Sequence, residues 1–300
     1  DTIAPTVSLT APANGASLAG TVAVTANAAD AIGVASVQFR LDGQDLGAAD
    51  TTAPYSFSWN TLTARDGAHT LTAVARDATG NTRTSTAVAV EVHNTGVVAA
   101  YGFDEASGTT ATDAIDGHTG TIAGATRSLD GRFGRALSFD GVDDWVSVPH
   151  DPTLNLSAAM TLEAWVKPTA LTNWRSVITK EQATALPYAL YAGSASGTPA
   201  ASIFTTSALT AAGPPALGLS QWTHLAMTWN GSMLRLYVDG AEIATLAAPG
   251  PLLTSNGVLR IGGNSLRGEF FTGLIDEVRI YDRALSPAQL GADLNTPVTP

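Results

Sequence analysis

The chain has 300 residues, 45% of them apolar and only 14% charged, with 29 Gly, 15 Pro and no Cys. Fifteen Lys and Arg against 26 Asp and Glu give a net charge of −11, a surface that repels nucleic-acid phosphate and anionic membrane. Without Cys there are no disulfides and no thiolate metal sites, and no apolar run reaches the roughly 18 residues of a membrane span.

This length suggests two domains, and the richness in Gly and Pro suits short strands joined by turns. Up to about Asn94 the apolar residues alternate in short runs. Val7 and Leu9 come first, then Val22, Val24 and Ala26, then Val37, Phe39 and Leu41. Tyr55, Phe57 and Trp59 follow, then Leu71, Ala73 and Ala75, and Val88, Val90 and Val92 close the set. Period-two alternation means strands with one buried face. Turn residues separate them at Pro12-Ala13-Asn14-Gly15, Asp42-Gly43, Asp66-Gly67 and Asp77-Ala78-Thr79-Gly80-Asn81. Six or seven such strands predict a β-sandwich over residues 1–94 with Trp59 as its large anchor. The segments Ala4-Pro5-Thr6-Val7, Val34-Ala35-Ser36-Val37-Gln38-Phe39 and Ala75-Arg76-Asp77-Ala78-Thr79-Gly80-Asn81 resemble bacterial immunoglobulin-like domains.

Thr95-Gly96 reads as a short linker, and the motifs then change. Strands are expected at Val97 to Phe103, Leu162 to Val166, Ser176 to Thr179, Trp222 to Trp229, Val258 to Ile261 and Leu274 to Tyr281. Met233 to Val238 pairs with Glu242 to Leu246 through Asp239-Gly240, a hairpin signal. Pro287 to Leu294 reads as a short helix with Ser286 as N-cap. About a dozen strands over residues 97–295 imply an antiparallel jelly roll of two sheets, so the fold class is all-β throughout. Residues 296–300 read as a linker tail, and with Asp1-Thr2-Ile3-Ala4-Pro5 they suggest a piece of a longer polypeptide.

The motifs of the second part resemble the laminin-G-like, concanavalin-A-like jelly roll of secreted bacterial proteins. The resemblance rests on the run Ala136 to Val146 with Asp140-Gly141-Val142-Asp143-Asp144-Trp145, and on Gly273 to Ser286 with Ile275-Asp276-Glu277-Val278. Tyr101 to Gly108, Thr161 to Pro168 and Trp222-Thr223-His224-Leu225-Ala226 support it. It implies a module that binds or spaces, placed outside the cell or on its surface.

Carboxylates gather at Asp104, Glu105, Asp113 and Asp116, at Asp140, Asp143 and Asp144, and at Asp276 and Glu277. Asp276 alternates with Val278 and Ile280, which puts it on their face, and an inward carboxylate is costly unless neutralised. Calcium is the simplest partner, because it takes six to eight oxygens in irregular acidic turns. The alternative is solvated aspartates making Asx-turns. The resemblance implies a structural calcium ion near the meeting of the first and last strands, held by Asp113, Asp140 and Asp276, with Asp104.

Enzyme signatures are absent as short motifs. Gly193-Ser194-Ala195-Ser196-Gly197 places Ala where a nucleophile elbow needs Ser, Glu163 and Glu277 stand alone in their strands, and the histidines His69, His93, His118, His150 and His224 are scattered. His224 reads as a structural histidine. Sugar binding needs an aromatic platform and a few polar groups. Trp145, Trp165, Trp222 and Trp229 fall in expected strands and read as core. Trp174 sits in a polar turn beside Arg175, and Tyr188, Tyr191 and Phe270 lie beside loops, so these five are the candidate ligand contacts. The weakly patterned stretch from Gly193 to Gly218 suits a loop rimming the binding face. The reading that follows is a non-catalytic carbohydrate-binding module, calcium-stabilised and preceded by an Ig-like spacer. The alternatives are a structural or adhesive module that contacts itself or another protein, and a polysaccharide lyase or hydrolase domain.

Overall fold

In the N-terminal unit, Asp1–Thr95, the expected alternation becomes nine strands among the described residues. They are β1 (Thr6–Ala11), β2 (Ala16–Leu18), β3 (Thr21–Ala29), β4 (Val34–Leu41), β5 (Gln44–Asp45), β6 (Tyr55–Asn60), β7 (Gly67–Asp77), β8 (Thr82–Thr84) and β9 (Val88–Val92). One sheet has the order β1-β3-β6 and the other β2-β9-β7-β4-β5, with β8 on β7. Val24, Val37, Phe39, Trp59, Leu71, Ala73, Ala75 and Val92 are packed between them, each at most 1% exposed. Burying Phe39 alone contributes about 1.5–3 kcal/mol. This is the Ig-like sandwich, held by packing without a disulfide. The computed structural model describes every residue except Arg65, Asp66, His93, Thr95, Asp116 and Pro300, and only the backbone of Leu62. The turn at Asp66, the histidine at 93, the joint at Thr95 and the carboxylate of Asp116 therefore lie outside the described residues.

The second unit, Gly96–Pro300, is the jelly roll. Its strands are β10 (Val97–Tyr101), β11 (Thr110–Ala111), β12 (Gly120–Ala123), β13 (Thr126–Ser128), β14 (Ala136–Asp140), β15 (Trp145–Val148), β16 (Met160–Pro168), β17 (Arg175–Lys180) and β18 (Tyr188–Gly193). They continue with β19 (Ala200–Phe204), β20 (Ala208–Ala212), β21 (Thr223–Trp229), β22 (Met233–Val238), β23 (Ala241–Ala247), β24 (Leu259–Ile261), β25 (Gly263–Asn264), β26 (Glu269–Phe270) and β27 (Thr272–Tyr281). The first sheet runs β13-β14-β27-β16-β21-β22-β23, and β10 pairs with the far half of β27. First and last strands do meet, as the resemblance implied. The second sheet runs β11-β12-β15-β24-β17-β18-β19-β20. The main core lies between them and includes Leu162, Ala164 and Val166 of β16, Tyr188 and Leu190 of β18, and Trp229 of β21, whose indole N–H donates to the Ala248 carbonyl at 2.8 Å.

The hairpin at Asp239-Gly240 forms as expected, with φ of 48° and 78°, the left-handed pair that suits a two-residue turn. The helix α1 (Pro287–Asp293) starts on a capping box, with the Ser286 N–H donating to Gln289 Oε1 at 3.0 Å and the Gln289 N–H returning to Ser286 Oγ at 3.4 Å. Two expectations fail. The stretch from Gly193 to Gly218 is not a rim loop but carries β19 and β20, and it extends the second sheet. The expected linker tail is anchored at Val298. Val298 is 6% exposed and packs with Leu285, Leu290, Tyr281 and Tyr237 in a small core on the outer face of the first sheet.

Candidate functional site

The structure does not bring Asp104, Asp113, Asp140 and Asp276 together. Asp113 is buried and fully occupied. One oxygen accepts from the N–H groups of Ala100 (2.8 Å) and Ile115 (3.1 Å), the other from the N–H and Nδ1 of His118 at 3.2 Å each. It is a loop organiser. Asp104 is exposed and takes the Arg135 N–H at 2.7 Å. Asp276 accepts three backbone N–H bonds, from Arg132 (2.7 Å), Phe133 (3.1 Å) and Glu277 (2.8 Å). Nor does it share the face of Val278 and Ile280. Glu277 has φ 53°, and the register slips between the pairs Glu163–Arg279 and Trp165–Asp276, so a bulge turns Asp276 to the face of Trp165. Strict alternation misreads any strand with such a bulge.

Of the four, only Asp140 falls in a carboxylate triad among the described residues. Its carboxylate and those of Asp143 and Asp144 offer oxygens within 4.8 Å of one another. Asp144 Oδ2 accepts the Asp140 N–H at 2.8 Å, and Asp140 Oδ1 accepts the Val142 N–H at 2.8 Å. Burial, with the charges of Asp140 and Asp143, pushes the Asp144 carboxyl above its usual range. An all-oxygen donor set with unrelieved like charge fits a hard cation, whereas the four residues named from sequence do not. A second triad, Asp1, Asp30 and Asp77, lies in the Ig-like unit. There Asp77 is occupied. Burial works against its anion, but hydrogen bonds from Asn81 and Thr79 outweigh it and hold the carboxyl down at about 2.

Of the five expected ligand contacts, four lie on the outer face or edge of the second sheet. Trp174 is half-buried and meets Tyr191 edge-on at 4.7 Å. Leu266, Leu186, Ala189 and Ala200 complete this apolar patch. Arg175 donates to the Phe270 carbonyl at 3.0 Å and to Thr272 Oγ1 at 3.2 Å, which ties β17 to the β25–β26 hairpin. Phe270 stacks on Trp145 at 5.7 Å, and the Arg260 guanidinium sits 3.9 Å over the same indole. Trp145 is therefore a half-buried outer-face residue, not core. Tyr188 is the miss: it points into the main core, 1% exposed, and its hydroxyl donates to the Leu154 carbonyl at 2.9 Å. Both tyrosines belong to β18 rather than to loop edges.

Beside the Trp174 patch, and sharing Leu266 with it, opens a polar cleft of ≈ 770 Å³. Its walls are Asn155, Glu181 and Gln182, the loop from Thr254 to Gly257, and Ser265. Glu181 organises it. Its Oε1 accepts from Arg260 Nε (3.1 Å), the Ser265 N–H (2.6 Å) and the Ser265 hydroxyl (3.0 Å), and its Oε2 accepts from that hydroxyl at 3.0 Å. The Ser255 hydroxyl donates to the Glu181 carbonyl, and Asn155 Oδ1 accepts the Ser255 N–H at 2.9 Å. Glycine is required at 257, because a Cβ there would lie 2.1 Å from the Glu181 carbonyl oxygen. None of these residues stood out in the sequence. They come from four separated segments, each an ordinary polar turn.

The outer face of the first sheet is also rich in charge, but closed. Glu163 and Glu277, solitary in the sequence, meet there. Glu163 lies 3.4 Å from His224 Nε2 and 3.8 Å from Arg279, which reaches Glu277 at 3.2 Å. Arg279 also donates to the Thr296 carbonyl, and Glu277 accepts the Val298 N–H at 2.5 Å. Burial raises the Glu163 carboxyl and takes Glu277 up to about 7. Burial also takes Asp276 up to about 8, against the N–H groups of Phe133 and Arg132 that favour its anion, and the charge of Glu277 adds to the rise.

Comparison with known proteins agrees with both halves. Residues 5–73 match the bacterial Ig domain family, and residues 140–291 match the laminin-G-type family described as the concanavalin A-like lectin/glucanases superfamily. Pappalysin-1 of Mus musculus is 33% identical over 81 residues, and that of Homo sapiens 31% over 81 residues. The match is 25% of this chain and spans about 5% of the length of those curated relatives. Among solved structures, domain 4 of AbnA, an extracellular GH43 arabinanase from Geobacillus stearothermophilus in complex with arabinotriose, superposes with TM-score 0.56 at 23% identity, over 66% of this chain and 98% of that one. The binding domain of Paraclostridial Mosquitocidal Protein 1 gives 0.54 at 14% identity, over 67% of this chain and 52% of that one. At such identities these two likenesses show the fold alone. With half of its length in one family match and the two-sheet jelly roll that the match requires, the chain belongs to the concanavalin A-like lectin/glucanases superfamily, its jelly roll preceded by a bacterial Ig domain.

Proposed function

We propose that this chain is an extracellular glycan-binding module, in which the jelly roll holds the sugar on the outer face of its second sheet and the Ig-like unit serves as a spacer. The observation that carries this reading is the open cleft walled by carboxamides, hydroxyls and one carboxylate beside the half-buried Trp174, which is braced edge-on by the buried Tyr191. Sugars are held by this combination of an aromatic edge and convergent polar groups. The structural neighbours support it: one is an arabinanase domain in complex with arabinotriose and another the binding domain of Paraclostridial Mosquitocidal Protein 1.

Binding is favoured over catalysis by the state of the acids. Glycoside hydrolysis uses two carboxyl groups flanking one bond. The cleft has a single carboxylate, Glu181, already engaged by Arg260 and Ser265. The pair that does converge, Glu163 and His224, is fully buried. Screening the folded chain on a glycan array tests the reading: one polysaccharide class retained by the native protein and lost on Trp174→Ala is expected, and silence across the array overturns it.

Calcium is a separate proposal. Asp140, Asp143 and Asp144 would hold it, and the ion would relieve their mutual repulsion and brace the turn between β14 and β15. A rise in melting temperature with calcium, lost in Asp143→Asn, is the expected result, and a melt unmoved by calcium or chelator refutes it.

A further inference from the structure

We infer that the cleft between the start of the Gln182 turn, the loop from Thr254 to Gly257 and the β25–β26 hairpin selects uncharged sugars, with Glu181 and the side-chain amides around it as the hydroxyl partners. The inference rests on the glycan-binding reading above and gives it a ligand class and a set of contacts.

The hydrogen-bond inventory of the walls leads there. Asn155 has its carbonyl oxygen fixed by the Ser255 N–H at 2.9 Å, and its amide N–H groups make no bond within the chain. Gln182 repeats the pattern, with Oε1 fixed by the N–H and hydroxyl of Thr184 at 3.2 Å each and its amide nitrogen free. Asn256 and Thr254 are exposed and their side chains make no bond within the chain. Three amide donors are therefore available. The acceptor is Glu181. Its Oε1 is saturated by three donors, while Oε2 accepts only the Ser265 hydroxyl, which it shares with Oε1 at 3.0 Å. One ionic acceptor among several neutral donors complements a row of sugar hydroxyls, each of which gives one hydrogen bond and takes others. The volume of ≈ 770 Å³ falls within the roughly 300–1,000 Å³ of small-molecule sites.

Charge decides the class. Glu181 is the one charged residue among the walls. Its counter-ion Arg260 is not a wall residue, and its guanidinium lies 3.9 Å over the Trp145 ring. A uronate, sialate or sulfate would bring its anion to a carboxylate with no cation in the walls, on a chain of net charge −11. An amino sugar would have to compete for Glu181 with Arg260, which already sits 3.1 Å from its carboxylate.

The test is titration calorimetry of the whole chain with neutral oligosaccharides of pentoses and hexoses, oligouronates of matched length and chitosan oligomers. Neutral ligands are expected to bind at least tenfold more tightly than charged ones. The double variant Thr254→Ala with Asn256→Ala, both exposed and unbonded, should weaken binding about tenfold without moving the melting temperature, and Glu181→Gln should narrow the gap between neutral and uronate ligands. Uronates or chitosan bound as tightly as neutral sugars would overturn the inference and leave glycan binding standing. So would binding that ignores the double variant yet vanishes with Trp174→Ala. Failure of every glycan class would overturn both.

Discussion

The two outer faces of the jelly roll carry similar chemistry in opposite states. On the first sheet Glu163, His224, Glu277 and Arg279 are sealed under α1 and the residues up to Val298. On the second sheet Glu181 and Arg260 form a comparable acid–base pair, but beside an open cleft. Where the chain returns over its own sheet, charge becomes a packing problem. Where the β25–β26 hairpin covers only part of the sheet, charge stays available. Variants of the closed face should therefore change stability, and variants of the open face should change binding.

The largest effect is expected from Arg279→Met. It leaves Glu163 and Glu277 buried without their shared cation, and breaking a buried pair in this way costs about 3–5 kcal/mol. Urea unfolding measures it, and glycan binding by the folded fraction should be unchanged. A loss below 1 kcal/mol would mean that the face is not closed.

The next effect is a pH dependence. Asp276 and Glu277 hold their protons up to about 8 and about 7. Both bind protons more tightly folded than unfolded, so folding takes up protons between about pH 4 and pH 8, and stability falls as pH rises through that window. The melting temperature should drop by at least about 5 °C from pH 5 to pH 8.5, and Asp276→Asn should flatten the drop. A melting temperature that rises with pH across that range would contradict the burial of these acids.

How much of this was legible in the sequence follows from the same contrast. Val37, Phe39 and Leu41 announce a strand because one face is buried and the other wet. Tyr188–Gly193 is buried at every position, and β19 and β20 are rich in Ala, so alternation vanishes there and a loop was the natural reading. Asp276 was visible as an acid in an apolar strand, but its direction depended on the bulge at Glu277. Trp174, Tyr191 and Phe270 could be singled out because aromatic residues near turns stand out, and Arg175 because it adjoins Trp174. Asn155, Glu181 and Asn256 were not, because only the folded chain brings them into one cleft.

On the open face, Gly257→Ala places its methyl against the Glu181 carbonyl, a contact of 2.1 Å that the loop must relieve by moving. Overpacking of this kind costs about 1–3 kcal/mol, and it should displace Thr254 and Asn256 enough to weaken binding more than tenfold.

The smallest stability effect with the sharpest meaning is that of Asn256→Ala. The residue is exposed and its side chain bonds nothing in the chain, so its removal should stay within about 0.5 kcal/mol by thermal melt. The same substitution removes a donor from the cleft wall and should weaken glycan binding several-fold by calorimetry. A measurable stability loss without a binding change would place this residue with the closed face and remove the distinction between the two sheets. A binding loss without a stability change is what an open recognition surface requires, because such a residue has no partner until the ligand supplies one.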